Sequence, residues 1–143
     1  MSAWGPGNLD NDTAADFQID LEEPNGPQLI FAQLEAVAEA QPPTYLDADM
    51  CSSALAAAEY VAVGIGEPHP DFERPLDRGT GLPWEWTPSA ADVDLCEAAI
   101  RRIAQDSELL ELWSDSEHYP KWVAALDDVL SRLGRPPIAP NEA

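Results

Sequence analysis

Apolar side chains recur every three or four residues through most of this chain, which is the spacing of one face of an α-helix. Clear examples are the stripe of Val93, Cys96, Ile100 and Ile103 and the stripe of Trp122, Leu126, Val129, Leu130 and Leu133. Such stripes predict helices over residues 11–23, 27–40, 47–63, 89–104, 107–113 and 119–133. The strict alternation of a strand is almost absent. We therefore predict an all-α fold, a compact bundle of about five to six helices.

Several residues mark where these helices should begin and end. Ser89 precedes its stripe and is a favoured N-cap, while Pro27 suits the first turn of a helix because its missing N–H leaves no bond unmade. Gly134 fits the left-handed position that follows a helix, and the prolines at 136–137 prevent continuation. The helix ends are therefore encoded locally.

The middle of the chain interrupts the helical pattern. Residues 66–88 hold five prolines and three glycines, and the stretch is too long for a simple connection between helices. We predict a long Pro/Gly-rich loop there, either packed or functional, and a loose tail over residues 135–143. The length of the chain favours one domain spanning residues 1–143.

The charge of the chain is strongly negative. There are 27 acidic residues against 7 lysines and arginines, a net charge of −20, and residues 1–73 hold 14 acids without a single lysine or arginine. So large a negative field argues against direct binding to nucleic acid or to an anionic membrane. It favours a basic protein partner, or it serves solubility alone.

The sequence also favours a cytoplasmic protein. It lacks an apolar run long enough to cross a membrane, and its first residues lack the basic and apolar regions of a signal peptide. Cys51 and Cys96 each lie within a helical pattern, so we predict two buried thiols and no disulfide.

Three aspartates form a row on the first predicted helix. Asp12, Asp16 and Asp20 are spaced four residues apart and share one side of residues 11–23. Like charges at this spacing repel one another, so the row is a candidate for binding a basic partner or a cation. The alternative is a solvated helix face, which is the usual explanation of a charge run.

Two tryptophans flank an acid in the long loop. Trp84, Glu85 and Trp86 combine large aromatic rings with a negative charge, a combination found in protein-binding hot spots. The alternative is that at least one ring fills the core beneath the loop, because large aromatic side chains are mostly buried.

Catalytic and metal-binding motifs are missing from the sequence. His69 and His118 are the only histidines, and their spacing matches no known set of metal ligands. There is no glycine-rich phosphate loop, no nucleophile elbow and no Cys/His arrangement. We therefore predict no metal and no cofactor, and nothing in the sequence supports an enzyme.

The N-terminal segment carries a family resemblance. Residues 3–17, which read Ala-Trp-Gly-Pro-Gly-Asn-Leu-Asp-Asn-Asp-Thr-Ala-Ala-Asp-Phe, resemble the opening of an uncharacterised bacterial family, the domain of unknown function 4259 family. Residues 54–59, 107–113 and 122–128 are similar as well. Ser2 stands where a glycine is usual and Leu9 where an aromatic is usual. The resemblance implies a small helical cytoplasmic domain of bacteria, and it implies no catalytic residues.

Three functions remain open at this point. The first is a non-enzymatic acidic module that binds a basic protein, in its most concrete form an immunity or inhibitor protein that masks a basic toxin or nuclease site. The second is a small-molecule-binding or enzymatic domain with a site between the helix at 11–23 and the loop at 66–88. The third is an oligomeric scaffold.

Overall fold

The computed structural model describes residues 7–8, 26–41, 44–67, 69 and 87–138. Five helices lie within them: α1 (Gly26–Ala38), α2 (Ala48–Gly64), α3 (Ala90–Gln105), α4 (Glu108–Ser114) and α5 (Tyr119–Arg132). Helices cover 70% of this part of the chain, and no strand occurs in it. The prediction of an all-α bundle is confirmed. The predicted helix at 11–23 and the loop residues 70–86 lie outside the described residues.

Helix α2 forms the centre of the bundle. It contacts each of the other four helices, and α1 packs across both α2 and α3. Thirteen of the 17 residues of α2 are buried, so the helix is covered on nearly every side. The alanines at 56–58 are completely buried, and their small side chains allow neighbouring helix backbones to come close.

The apolar stripes of the sequence face this core. Buried members include Ile30, Leu34 and Val37 of α1, Val93, Cys96, Ile100 and Ile103 of α3, and Trp122, Leu126, Val129 and Leu130 of α5. Cys51 of α2 and Cys96 are buried thiols, as the sequence predicted. Burial of a leucine, isoleucine or valine side chain contributes about 1.5–3 kcal/mol relative to leaving it exposed, so these stripes supply most of the driving force for the fold.

The helix ends follow their local signals. Ser89 caps α3 in a reciprocal box, in which its hydroxyl accepts from the backbone of Asp92 and the Asp92 carboxylate accepts from the backbone of Ser89. Ser107 caps α4 and Asp47 caps α2, each through one hydrogen bond that its side chain accepts from a backbone N–H. Gly134 follows α5 with a φ of 78°, a left-handed conformation that side chains with a Cβ rarely adopt.

The N-termini of α2 and α4 are tied to each other. The backbone N–H of Ala48 donates to Glu108 Oε1 at 2.6 Å, and the backbone N–H of Glu108 donates to the Leu46 carbonyl at 2.9 Å. The two bonds join positions 60 or more residues apart and satisfy donors that a helix start leaves unpaired.

The chain after α5 remains packed as far as residue 138, whereas the sequence predicted a loose tail over 135–143. Arg135 contacts Asp94 at 2.7 Å, and the backbone N–H of Ile138 donates to Asp127 Oδ1 at 2.8 Å. The Ile138 side chain is buried. An arginine salt bridge and one apolar anchor hold this segment, and proline patterning alone does not reveal either of them. Residues 139–143 lie outside the described part.

Membrane insertion of a helix finds no support in the part of the chain that the structure describes. None of its helices combines the length and the apolar composition that a bilayer crossing requires.

Candidate functional site: a buried carboxylate and its arginine

The most unusual polar group of the described chain is the carboxylate of Glu59. It lies on the helix at the centre of the bundle, and the residue is only 1% exposed. Its neighbours on either side in the sequence, Ala58 and Tyr60, are completely buried. Removing a carboxylate from water costs several kcal/mol unless partners compensate, so Glu59 needs bonding partners within the bundle.

The main partner of Glu59 is Arg132 at the end of α5. Arg132 Nη2 lies 2.8 Å from Glu59 Oε1 and donates a hydrogen bond to Glu59 Oε2 at 3.0 Å. The same guanidinium donates to Asp128 Oδ2 from Nε at 3.0 Å and from Nη2 at 2.8 Å. Its remaining nitrogen, Nη1, donates to the backbone carbonyl of Glu67 at 3.1 Å. One arginine thus joins the centre of α2, the end of α5 and the chain that follows α2.

A second partner comes from the N-terminal part of the chain. Asn8 Nδ2 donates to Glu59 Oε2 at 2.8 Å and approaches the Ala125 carbonyl at 3.3 Å. Asn8 is itself buried, and its Oδ1 accepts no hydrogen bond. Glu59 Oε1 lies within ionic distance of Arg132 but accepts no hydrogen bond of its own. The centre therefore holds spare acceptor capacity.

The electrostatics of the centre are a balance between burial and pairing. Burial raises the pKa of Glu59, and it does so against the Arg132 charge and the Asn8 hydrogen bond, which both lower it. His69 also favours the charged form of Glu59. Burial acts to lower the pKa of Arg132, but the Glu59 charge and the bonds to Asp128 outweigh it, and the pKa is raised. Arg132 is therefore a permanent cation beside an acid that resists ionisation.

The chemistry open to this arrangement is limited. A buried acid with a shifted pKa marks a functional-site candidate, although structural ion pairs shift pKa values as well. Within the described residues there is no group of three or more His, Cys, Asp or Glu side chains able to hold a metal ion. Glu59 accepts from an amide and a guanidinium that both belong to the protein, which is the arrangement of an anchor between chain segments.

All six binding residues predicted from sequence lie outside the described residues. These are Asp12, Asp16, Asp20, Trp84, Glu85 and Trp86. Two described residues lie next to these groups in the sequence. Asn8 precedes the aspartate row, and Glu67 lies at the start of the stretch that leads to the tryptophans. Asn8 contacts Glu59, and the Glu67 carbonyl contacts Arg132.

Sequence reasoning missed Glu59 itself. Glutamate is a good helix former, and in so acidic a chain one more acid in a helix reads as solvated surface. A signal was nevertheless present: residues 54–63 contain a single charge within an otherwise apolar run. A helix that is apolar all round is buried, so a lone acid within it needs a buried partner.

The remaining arginines of the described chain are also engaged internally. Arg101 Nε donates to Glu97 at 2.9 Å, and Arg135 lies 2.8 Å from the same carboxylate. Arg102 donates to the backbone carbonyls of Ala40, Thr44 and Asp106, which hold the end of α3 against the chain that follows α1. The guanidinium groups of the described chain are thus bonded to groups of the same chain, and those of Arg135 and Arg132 also contact the exposed acids Asp94 and Asp128.

Acidic side chains dominate the exposed surface as a result. The exposed acids of the described chain are Glu35, Glu39, Asp47, Asp49, Glu67, Asp94, Asp106, Glu111, Asp115, Glu117 and Asp128. Lys121 is an exposed basic side chain and offsets one of these negative charges. Two large apolar side chains, Tyr45 and Leu112, are also exposed, at 55% and 50%. Tyr45 OH donates to Glu111 Oε1 at 3.2 Å, which places an apolar surface among acids near α4.

A shallow groove lies between the end of α1 and the end of α3. Its volume is about 440 Å³, and its lining residues include Ala38, Gln41, Arg101 and Arg102. Both arginines use their guanidinium groups on carbonyls or on Glu97, so the groove presents their alkyl stems and their already engaged N–H groups.

Taken together, the helices and the buried pair define an acidic all-α domain whose central helix carries an internal carboxylate. The family comparison is more specific. The model of the DUF4259 family, a domain of unknown function, matches residues 2–125, and the chain belongs to that family. Searches of the curated proteins and of the solved structures each find no match.

Proposed function

We propose that this protein is a non-enzymatic acidic module that binds a basic protein. The observation that supports it is the negative surface charge: eleven acids of the described residues are exposed, whereas the described arginines are only partly exposed and are bonded to groups of the same chain. Such a surface raises the rate of encounter with a positively charged partner and fixes its orientation. In its most concrete form the module is an immunity or inhibitor protein that masks the basic site of a toxin or nuclease in the bacterial cytoplasm. Two buried free thiols are compatible with that reducing compartment.

The proposed contact surface includes the aspartate row of Asp12, Asp16 and Asp20 and the Trp84-Glu85-Trp86 segment. Within the described chain, the exposed Tyr45 and Leu112 add apolar area next to Glu111. Aromatic anchors surrounded by charge are typical of interfaces, in which a few residues supply most of the binding energy.

Capture followed by kinetics tests this proposal. The tagged chain is used to isolate partners from native lysate, and a basic protein in stoichiometric amount that is released by salt is the expected product. Association of the purified pair is then measured at two salt concentrations for the wild type and for a triple variant, Asp12→Asn, Asp16→Asn and Asp20→Asn. Slower association and a flatter salt dependence are expected for the variant.

The matched control removes the same charge from elsewhere. Glu35→Gln, Glu39→Gln and Asp115→Asn change three exposed acids of the described chain, so the net charge equals that of the first triple variant. A partner bound at the aspartate row should lose more association rate with the first variant than with the second. Equal rates in wild type and the aspartate variant at low salt would refute the role of the row. Recovery of the chain alone as an oligomer would instead support a scaffold.

A second candidate function has one observation in its favour. A ligand-binding or enzymatic site between residues 11–23 and 66–88 would need the two stretches near each other. Asn8, which precedes the first stretch by three residues, and Glu67, which lies within the second, contact the same ion pair. A thermal-shift screen with small polar metabolites tests it. A saturable stabilisation that Glu59→Gln removes would support this candidate, and the absence of any shift across the screen would count against it.

A further inference from the structure

The contacts around Glu59 share atoms in a way that links distant parts of the chain. Asn8 Nδ2 and Arg132 Nη2 donate to the same oxygen, Glu59 Oε2, at 2.8 and 3.0 Å. Arg132 Nη1 then holds the Glu67 carbonyl at 3.1 Å. Asn8 and Glu67 are 59 positions apart in the sequence, and both reach α2 through this one pair.

The position of the Glu59 carboxylate decides which nitrogens of Arg132 are used. Nη2 alone contacts both oxygens of Glu59, while Nε and Nη2 also serve Asp128. An arginine and a carboxylate prefer two parallel hydrogen bonds from two nitrogens. Glu59 departs from that preference here, because a single nitrogen of Arg132 contacts both of its oxygens, and Asn8 donates to one of those oxygens.

Removal of the Asn8 amide would free Glu59 Oε2 from that restraint. The carboxylate would then rotate toward the two-nitrogen arrangement with Arg132. Since Nε and Nη2 already serve Asp128, the nitrogen available for recruitment is Nη1, which now donates to Glu67. The contact at Asn8 and the contact at Glu67 therefore support each other.

We propose that Glu59 and Arg132 are positioning residues that couple the docking of Asn8 on the bundle to the docking of the chain at Glu67. The coupling makes the two attachment points one cooperative unit. It is reciprocal, because the effect of the first contact on the second must equal the effect of the second on the first.

Hydrogen exchange at the end of α2 tests this coupling. The backbone amides of Gly66 and Glu67 donate to the carbonyls of Val63 and Ala62, so they report on the chain next to the Arg132 contact. We expect Asn8→Ala to speed their exchange by on the order of fivefold or more, a typical size for coupling between sites, while the amides of α3 keep their rates. The Glu67 carbonyl carbon shift in NMR spectra should move in the same variant. If Asn8→Ala fails to fold, Asn8→Ser replaces it, because its short side chain cannot reach Glu59.

Two further variants separate coupling from local damage. In a Glu59→Met background, Asn8→Ala should add nothing at Gly66 and Glu67, because no side-chain oxygen is left at position 59 to accept from Asn8 or Arg132. Glu97→Gln removes a carboxylate that also serves two arginines but lies on α3, and it should leave these amides unchanged. Unchanged exchange at Gly66 and Glu67 in folded Asn8→Ala, or faster exchange by the same factor in every helix, would overturn the proposal.

Discussion

Glu59 on α2 and Glu97 on α3 each contact arginine nitrogens at less than 3 Å, yet their surroundings shift the two pKa values in opposite directions. The hydrogen bond from Arg101 is the largest influence on the pKa of Glu97 and lowers it, and burial, which raises it, does not outweigh the contacts with Arg101 and Arg135. Burial raises the pKa of Glu59 in spite of Arg132. The side chain of Glu97 is 22% exposed, whereas that of Glu59 is 1% exposed.

The contrast shows that pairing alone does not decide what an acid contributes. At the surface, water screens both the attraction and the cost, so a salt bridge adds little in either direction. In the core, desolvation is large, and the arginine serves mainly to prevent a greater loss. The buried pair is therefore not expected to be a large source of net stability, although the loss of one partner alone is costly.

The largest expected effect is the loss of the buried carboxylate. Glu59→Ala should destabilise the fold by about 3–5 kcal/mol, because it leaves a cavity and removes the buried partner of Arg132. Glu97→Ala is the matched control at a partly exposed carboxylate and should cost about 1 kcal/mol. Urea unfolding followed by circular dichroism measures both values. Equal losses in the two variants would show that burial is not the source of the contrast.

The next effect is a pH dependence of opposite sign at the two sites. A folded-state pKa raised above the unfolded value near 4.3 means that the folded chain binds the Glu59 proton more tightly. The stability from Glu59 is then complete below the unfolded pKa and is lost as the pH rises through the folded pKa. Thermal unfolding between pH 4 and 8 measures this loss as the difference in stability between wild type and Glu59→Gln.

Glu97, with its lowered pKa, should contribute stability that disappears as the pH falls through its folded pKa. A wild-type advantage over Glu59→Gln that grows with pH would contradict the assignment.

An intermediate effect is expected at the start of α3, where exposed hydrogen bonds act without a buried charge. Ser89→Ala removes one bond of the capping box, which involves a 3.2 Å contact to the backbone of Asp92. N-cap replacements of this kind cost about 1 kcal/mol. The loss should be independent of pH near neutrality, and calorimetry checks it. A cost as large as that of Glu59→Ala would remove burial as the explanation of the difference.

The smallest effect is expected from salt acting on Glu97 and its two arginines, Arg101 and Arg135. Glu97→Gln should lower stability by less than about 1 kcal/mol at low ionic strength, and the difference should vanish near 1 M salt, where charges are screened within about 3 Å. The Glu59→Gln difference should be far less sensitive, because its pair is buried. Denaturant midpoints at both salt concentrations measure this. An equal salt response at the two sites would place Glu59 in contact with solvent.

Most of the described helical architecture follows from local patterning. The stripe of Val93, Ile100 and Ile103 and the cap at Ser89 act within one or two helical turns, so the sequence alone predicts α3 within a residue or two of its bounds. The same holds for α5, whose left-handed Gly134 ends the helix. Local signals are enough to predict a helix that has one buried face and one solvent-exposed face.

The buried pair was beyond this reasoning because its cause is tertiary. Thirteen residues of α2 are buried, so periodicity no longer separates an inner face from an outer one, and Glu59 carries no distinguishing spacing. Arg132 is 73 positions away, and only the packing of α5 on α2 brings the two together. The binding residues predicted at 12–20 and 84–86 remain predictions, since they lie outside the described chain.

The central place of α2 has a consequence for synthesis on the ribosome. The helix is second among the described helices, but it is covered by α3, α4 and α5, which are made later. While the nascent chain ends before residue 119, α5 is not yet present to pack on α2, and Glu59 lacks its partner Arg132. Exposed apolar surface of this kind attracts chaperones and promotes aggregation during translation. A stop codon or a ribosomal pause before α5 should therefore yield an insoluble or chaperone-bound fragment rather than a smaller folded domain.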